Sequence, residues 1–526
     1  MNNLDIKRYV ASLTDEELVG EILSWEFSPS ITEDELLEAV KKKKISSFYA
    51  NNLSIKQREF LKKAIGENIK SPCLVVTDVE RGPAFYPETK PYTISMMNLA
   101  AADDESLAFE VGKYTARIAS SQGIHLPLSP VVDINFNPNN PVTNTRAASD
   151  DPDTVLKSAG AYGRGMQSEG NMLMVLKHFP GDGVDDRNQH FCTTVNSLSK
   201  EAWMASYGKV YKTMIKEGAD AIMVAHIALP WYDPTVDDCG HMPATLSKPI
   251  MTGLIREELG FEGCIISDAM SMIGTAARVP VDRLSVEFLR AGGDFVLFPE
   301  KDDHERILDA LHSGYLERSR LLDAAEGVVK MKAKLGLFEG KEYTLLDNDI
   351  EKTKETLEKV AKKSITLVRN TDNILPLKLK EGAKVLVVTL SPKEKDYEGD
   401  DFPDFADCLE SYGYNVTRLT NPNHYKINEI IEKVDAVFVI SILDTTCGSG
   451  NSLRLGWNNM MTFWRGYIFK NKNLIFVSFG DPYKLSELPF IKTYVNSYVK
   501  SGIVAKSTVD ACLGISSFEG KSPVKL

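Results

Sequence analysis

The chain has 526 residues, 43% hydrophobic and 25% charged, and its 61 Lys and Arg against 73 Asp and Glu leave a formal net charge of −12. At about 150 residues per domain this length suits three domains, or two if one is a large α/β barrel. An acidic chain without a long Lys/Arg block is a poor match for nucleic acid or an anionic membrane surface, and no run approaches the roughly 18 apolar residues of a membrane span. The seven cysteines, at 73, 192, 239, 264, 408, 447 and 512, form no C-x-x-C pair and read as free thiols of a reducing compartment. The N-terminal MNNLDIKRYV lacks an apolar signal core. A cytoplasmic location is the expectation.

In chain order, short apolar runs at 45–49, 73–77, 126–134, 172–176, 219–225, 264–267 and 294–298 read as strands buried on both faces. Amphipathic stretches at 106–121, 200–217 and 248–259 lie between them as helices. This βαβα order implies a parallel sheet, and its length suits a TIM-type (β/α)8 barrel with one irregular unit. Residues 305–366 read as a long helical connection, interrupted by an exposed joint at 339–343 around Gly340. From 384 onward, runs at 385–390, 415–419, 436–442, 474–479 and 494–499 predict a smaller α/β layer sandwich. The expected division is a barrel domain over 1–338 and a sandwich domain over 339–526.

Chemistry in such barrels collects where strands end, because the loops there converge on one mouth. Five loops turn polar immediately after an apolar run. They carry Asp78 and Glu80, then Asp133 leading to Thr145 and Arg146, then Lys177 and His178, then His226, and finally Asp268. A charged group at a buried strand end costs desolvation energy unless it is paired or meets a ligand, and five in register point to a site. Asp268 ends an apolar strand, where a carboxylate can be held beside a reacting carbon; an N-cap or ion-pair role is the bland alternative. His190 lies in the glycine-bearing loop 181–190, which reads as mobile and exposed. Asp182, Asp185 and Asp186 lack the spacing of a calcium loop, so no metal and no cofactor is expected.

These residues resemble glycoside hydrolase family 3, and within it the β-N-acetylglucosaminidase branch. The resemblance rests on PVVDINFNPNNP at 130–141 with Thr145 and Arg146, KHFPGDG at 177–183, PATLS at 243–247 and LGFEGCIISDAMSM at 259–272. It continues with SITLVRN at 364–370, LPL at 375–377 and the closing segments at 511–514 and 520–524. The resemblance implies that Asp268 is the nucleophile and His190 the acid/base. It also implies that Asp78, Arg146, Lys177 and His178 hold the sugar in the first subsite. His226, at the same strand-end level, is an expected substrate contact.

The chain departs from the branch at several points. The Asp that normally orients the histidine is Asn188 here, so the orienting charge must come from Asp185 or Asp186, or be replaced by a neutral amide. The usual second histidine of the 177–183 run is Asp182, the segment after the first acidic strand end reads ERGPA at 80–84, and an expected arginine is Tyr86. The implied activity is a retaining exo-β-N-acetylglucosaminidase acting on small glycans or cell-wall fragments, with a small carbohydrate as partner. Three alternatives stand beside it. One is β-glucosidase or β-xylosidase specificity with a second-domain carboxylate (Glu410, Asp444 or Glu487) as acid/base. The others are a phosphorylase, since a histidine does not repel phosphate, and a weakly catalytic carbohydrate-binding protein.

Overall fold

A computed structural model describes residues 3–84, 89–445 and 452–526. The chain forms two compact units, one of residues 1–80, 112–133 and 160–349, the other of 81–111, 134–159 and 350–526. The chain therefore leaves the first unit immediately after Glu80 and again after Asp133, at two of the polar strand ends.

The first unit is a closed parallel barrel. Its strands are β1 (Leu23–Ser24), β2 (Ser47–Tyr49), β3 (Leu74–Thr77), β4 (Leu126–Pro127), β5 (Val175–Phe179), β6 (Ala221–Val224), β7 (Cys264–Ser267) and β8 (Val296–Leu297). Ladders join β2–β3–β4, β5–β6–β7 and β8–β1, all parallel. Parallel bridges Trp25–Phe48, Val131–Lys177 and Ile266–Phe295 close the three remaining seams. The strands are short Val, Ile and Leu runs buried on both faces, since each lies between the barrel interior and a covering helix. The covering helices start where side chains can cap them. Thr32 and Ser54 each accept from the third helical N–H, while Glu35 and Gln57 reach back to the cap.

The barrel differs from the sequence expectation in several details. Strand β1 has only two residues, too few for an apolar run to signal. The ladder of β4 ends by Pro127, because Pro127 and Pro130 have no N–H to give. Strand β5 begins three residues later than expected and carries Lys177 and His178 within it. The helix expected over 200–217 breaks at Ser206 into Lys200–Ala205 and Tyr207–Lys216, and Pro249–Glu258 is wound with i→i+5 bonds. In the connection, Arg318–Lys334 ends at Gly336, which with Gly340 takes the left-handed backbone, before helix Asp349–Ser364.

The second unit is an open sheet of β9 (Thr366–Asn370), β10 (Lys384–Leu390), β11 (Asn415–Thr420), β12 (Ala436–Ser441), β13 (Leu474–Ser478) and β14 (Thr493–Asn496). Its order is β9-β14-β13-β12-β10-β11, parallel except that β9 runs against β14. Alternation along the strands builds a core on each face. Val385, Val387, Phe438, Ile440 and Val477 pack on Phe405, Leu409 and Val509, while Leu386, Val388, Val437, Val439 and Phe476 pack on Ile427 and Phe463. Five of the six strands match expected runs, and β9 is added from the end of the presumed helical stretch.

Candidate active site

Seven side chains gather around the C-terminal ends of β2, β3, β4 and β5. Lys177, almost wholly buried, places Nζ 2.9 Å from Asp78 Oδ1 and 2.6 Å from Glu80 Oε1. The other Asp78 oxygen accepts from the Tyr49 hydroxyl at 2.6 Å, and that hydroxyl accepts from Asn51 Nδ2 at 2.7 Å. Burial, reinforced by the Asp78 carboxylate, pushes the Tyr49 phenol well above its ordinary range, so it stays a donor. Asp133, fully buried, accepts from His178 Nδ1 at 2.6 Å and from the backbone N–H groups of His178 and Asp182 at 3.1 and 2.8 Å. That bond fixes Nδ1 of His178 as the protonated nitrogen.

Asp268 follows β7 and is partly exposed. Its Oδ1 accepts the Ala269 N–H at 2.7 Å, and its own N–H donates to Val224 O at 2.9 Å, which ties it to the end of β6. Burial raises its carboxyl, but the imidazoles of His178 and His226, the Ala269 N–H and the Lys177 ammonium outweigh that, and the net shift is downward. The carboxylate is therefore held as an anion.

His226 follows β6, at the strand-end level expected. It is fully buried; Nε2 donates to Ala269 O at 3.0 Å, and Nδ1 accepts from the hydroxyls of Thr245, at 2.9 Å, and Thr275. Burial lowers its pKa, and the Asp268 carboxylate opposes that shift. Both ring nitrogens are engaged by the protein, and the bond to Ala269 O ties His226 to the loop that carries Asp268.

The loop at 181–191 is anchored, contrary to its expected mobility. Asn188 and Gln189 are buried; Gln189 Oε1 accepts the His226 N–H at 3.2 Å, and His190 O accepts the Ile273 N–H at 3.1 Å. Gly274 packs so closely that a Cβ there would lie 2.4 Å from Gln189 O. His190 is half-buried, and its Nδ1 donates to Asn188 Oδ1 at 2.6 Å. Of the three candidate orienters, Asn188 is placed on the ring by this contact. Asp185 binds Arg187 Nε at 2.9 Å and the Val195 N–H at 2.8 Å, and Asp186 is exposed. Among the described residues no His, Cys, Asp and Glu cluster of three or more is gathered as a metal would require.

The family model for the Glycosyl hydrolase family 3 N terminal domain matches residues 14–331. The chain belongs to glycoside hydrolase family 3. A beta-N-acetylglucosaminidase/beta-glucosidase of Cellulomonas fimi is 31% identical over 475 residues, 86% of this chain and 83% of that protein. A beta-hexosaminidase of Vibrio cholerae is 32% identical over 256 residues, 48% of this chain and 73% of its own length. Among solved structures, beta-glucoside phosphorylase BglX bound to 2FGlc matches with a TM-score of 0.87 at 28% identity, covering 99% of this chain and 96% of that one. A family 3 beta-N-acetylglucosaminidase from Paenibacillus sp. str. FPU-7 shares the fold, with a TM-score of 0.82 at 24% identity over 98% and 99% of the two chains. The protein is accordingly a family 3 glycosidase, an enzyme of O-glycosyl bonds.

The remaining candidates of this family 3 chain lie in the second unit. Arg146 closes the turn Asn144–Arg146, with Nη1 3.3 Å from Val142 O. The three carboxylates considered as an alternative acid/base are ion-paired. Asp444 meets Arg81 at 2.8 Å, Glu410 meets Arg418 at 2.7 Å and Glu487 meets Lys484 at 2.9 Å. Tyr86, Cys447 and most of the loop at 445–455 lie outside the described residues. Sequence reasoning missed Tyr49 as a supporter of Asp78 because an aromatic at a strand end reads as core. It missed Gln189 because an amide in a polar loop reads as solvated.

Proposed function

We propose that this family 3 enzyme is a retaining, exo-acting β-N-acetylglucosaminidase that removes terminal β-linked N-acetylglucosamine from small glycans or cell-wall fragments. The observation that carries the reading is the Asp268 carboxylate, kept anionic at the barrel mouth beside His178 and Lys177. In the first step a carboxylate oxygen of Asp268 bonds to C1 while the bond from C1 to the leaving oxygen breaks. The proton on His190 Nε2 goes to that oxygen. In the second step neutral His190 takes a proton from water as the water oxygen bonds to C1 and the Asp268 ester bond breaks. Asp78, Arg146, Lys177 and His178 hold the hydroxyls of the sugar, which fixes the ring for attack. His226 positions the Asp268 loop. In this reading residues 1–338 carry catalysis and 339–526 form a separate sandwich domain, in a cytoplasmic protein whose six described cysteines are all free.

A second reading replaces water with phosphate. Two observations favour it: His190 Nδ1 donates to a neutral amide, which itself adds no negative charge where an anionic acceptor must approach, and BglX is similar along nearly the whole chain. Phosphate already carries an oxygen anion, so its attack on C1 requires no proton removal by His190. Aryl β-glycosides differing at C2, assayed with and without phosphate, test both readings. Turnover of the N-acetyl substrate with release of free sugar supports hydrolysis; sugar 1-phosphate supports phosphorolysis. Preference for the 2-hydroxy substrate refutes the N-acetyl assignment, and no turnover of either substrate refutes both readings.

A further inference from the structure

The second unit carries an aromatic face that this chemistry does not use. Helix Trp457–Trp464 buries Thr462 and Phe463 and turns Trp457 and Trp464 outward, 70% and 59% exposed. Seven residues apart, the two share one side of the helix, and their rings meet edge to face at 6.0 Å. The following turn adds Tyr467 and Phe469, each about half exposed, with centroids 6.3 Å apart. The adjoining helix His424–Ile430 adds Tyr425, which is two-thirds exposed. Asn428 Nδ2 donating to Arg465 O at 3.0 Å and Asn459 Nδ2 donating to Asn421 Oδ1 at 3.2 Å bind these segments side by side. Phe490, half exposed, extends the row against Phe463 at 5.9 Å.

Six large exposed rings on these neighbouring segments are more apolar surface than a soluble monomer commonly leaves to water. Each offers about 200 Å², a little over half of it bare, so together they present roughly 700 Å². A standard interface needs about 800 Å² per partner. Half-buried Met460 and Met461 and exposed Arg465 lie among the rings, a composition typical of interface centres. Lys470 and Glu432, paired at 3.2 Å, place both charge signs beside the rings, which lets the face meet its own copy without like-charge repulsion. A glycan would need flat, open ring faces. Here the Arg465 guanidinium lies 5.3 Å over Trp464 and the Lys470 ammonium 4.9 Å over Tyr467, and the ring pairs meet at 77° and 68°.

We propose that this face is a homodimer interface, covered by the same face of a second copy across a two-fold axis. The full chain at micromolar concentration sediments at twice its 58.4 kDa mass if this holds. The double variant Trp457→Glu/Trp464→Glu raises the dissociation constant at least about 100-fold. It keeps the parental melting temperature and glycosidase turnover. Leu346→Glu, on an exposed residue of the first unit, leaves the dimer intact. A monomeric parent, or a dimer that survives the double substitution, overturns the proposal. So does a monomer whose tryptophan fluorescence is quenched by chito-oligosaccharides through these two residues, since the face then holds a glycan.

Discussion

Replacing Asn188 with Asp puts a carboxylate where a neutral amide oxygen now accepts from His190 Nδ1 at 2.6 Å. The new charge sits about 3.5 Å from the centre of the imidazolium. At an effective dielectric near 50, suited to a half-buried ring, the attraction is about 2 kcal/mol. That is close to 1.4 pKa units in favour of the protonated ring. The first step needs the ring protonated, so the basic limb of the kcat/KM profile moves upward by about that amount. The same charge opposes an anionic acceptor, so any phosphorolysis-to-hydrolysis ratio falls by about tenfold or more. The assay is a pH series with an aryl β-N-acetylglucosaminide, with and without phosphate, on the parent, Asn188→Asp and His190→Ala. A basic limb unmoved by Asn188→Asp and still present in His190→Ala refutes His190 as the acid/base.

Two further expectations follow from the geometry. Tyr49→Phe keeps the ring but removes the donor to Asp78 Oδ2; with Asp78 side chain 41% exposed, water offsets part of the loss, leaving about 1.4 kcal/mol or tenfold in kcat/KM. Most of it is expected in KM with an unchanged melting temperature, and an unaltered kcat/KM contradicts the sugar-clamp assignment of Asp78. Lys363 holds the Asp104 carboxyl at about 2, below its ordinary 3.8, with help from Ser106. A depressed folded-state pKa stabilises above the unfolded value and is lost as pH falls toward the folded one, by about 1 kcal/mol after allowance for exposure. Urea unfolding of the parent and Lys363→Met should differ by that amount near neutrality and converge near pH 2; an equal gap at both pH values contradicts the assignment.

The barrel was legible because its strands are buried on both faces, so apolar runs stand out and stop abruptly at polar groups. Asp78, Lys177, His178 and Asp268 became visible by that interruption, and the structure places all four around the strand ends of the first unit. What stayed hidden depends on partners distant in sequence. Strand β1 is two residues long and owes its existence to β8 and Phe48. The anchoring of the 181–191 loop comes from His226 and Ile273, dozens of residues away. Segments 81–111 and 134–159 belong to the second unit because Arg81 and Thr145 meet Asp444, and Asn144 meets Asp481. No local pattern encodes that choice. The replacement at Asn188 was readable, but its contact with the His190 ring was not, because Asp185 and Asp186 in the same loop offered the charge that an amide lacks.

The central claim is that C1 of the sugar becomes bonded to the Asp268 carboxylate, and trapping that ester tests it most directly. Incubation with a fluorinated glycosyl fluoride, followed by proteolysis and mass spectrometry, should add one glycosyl mass to the peptide containing Asp268 and abolish turnover in proportion. A label on any other residue, or inactivation that proceeds equally in Asp268→Ala, contradicts the account.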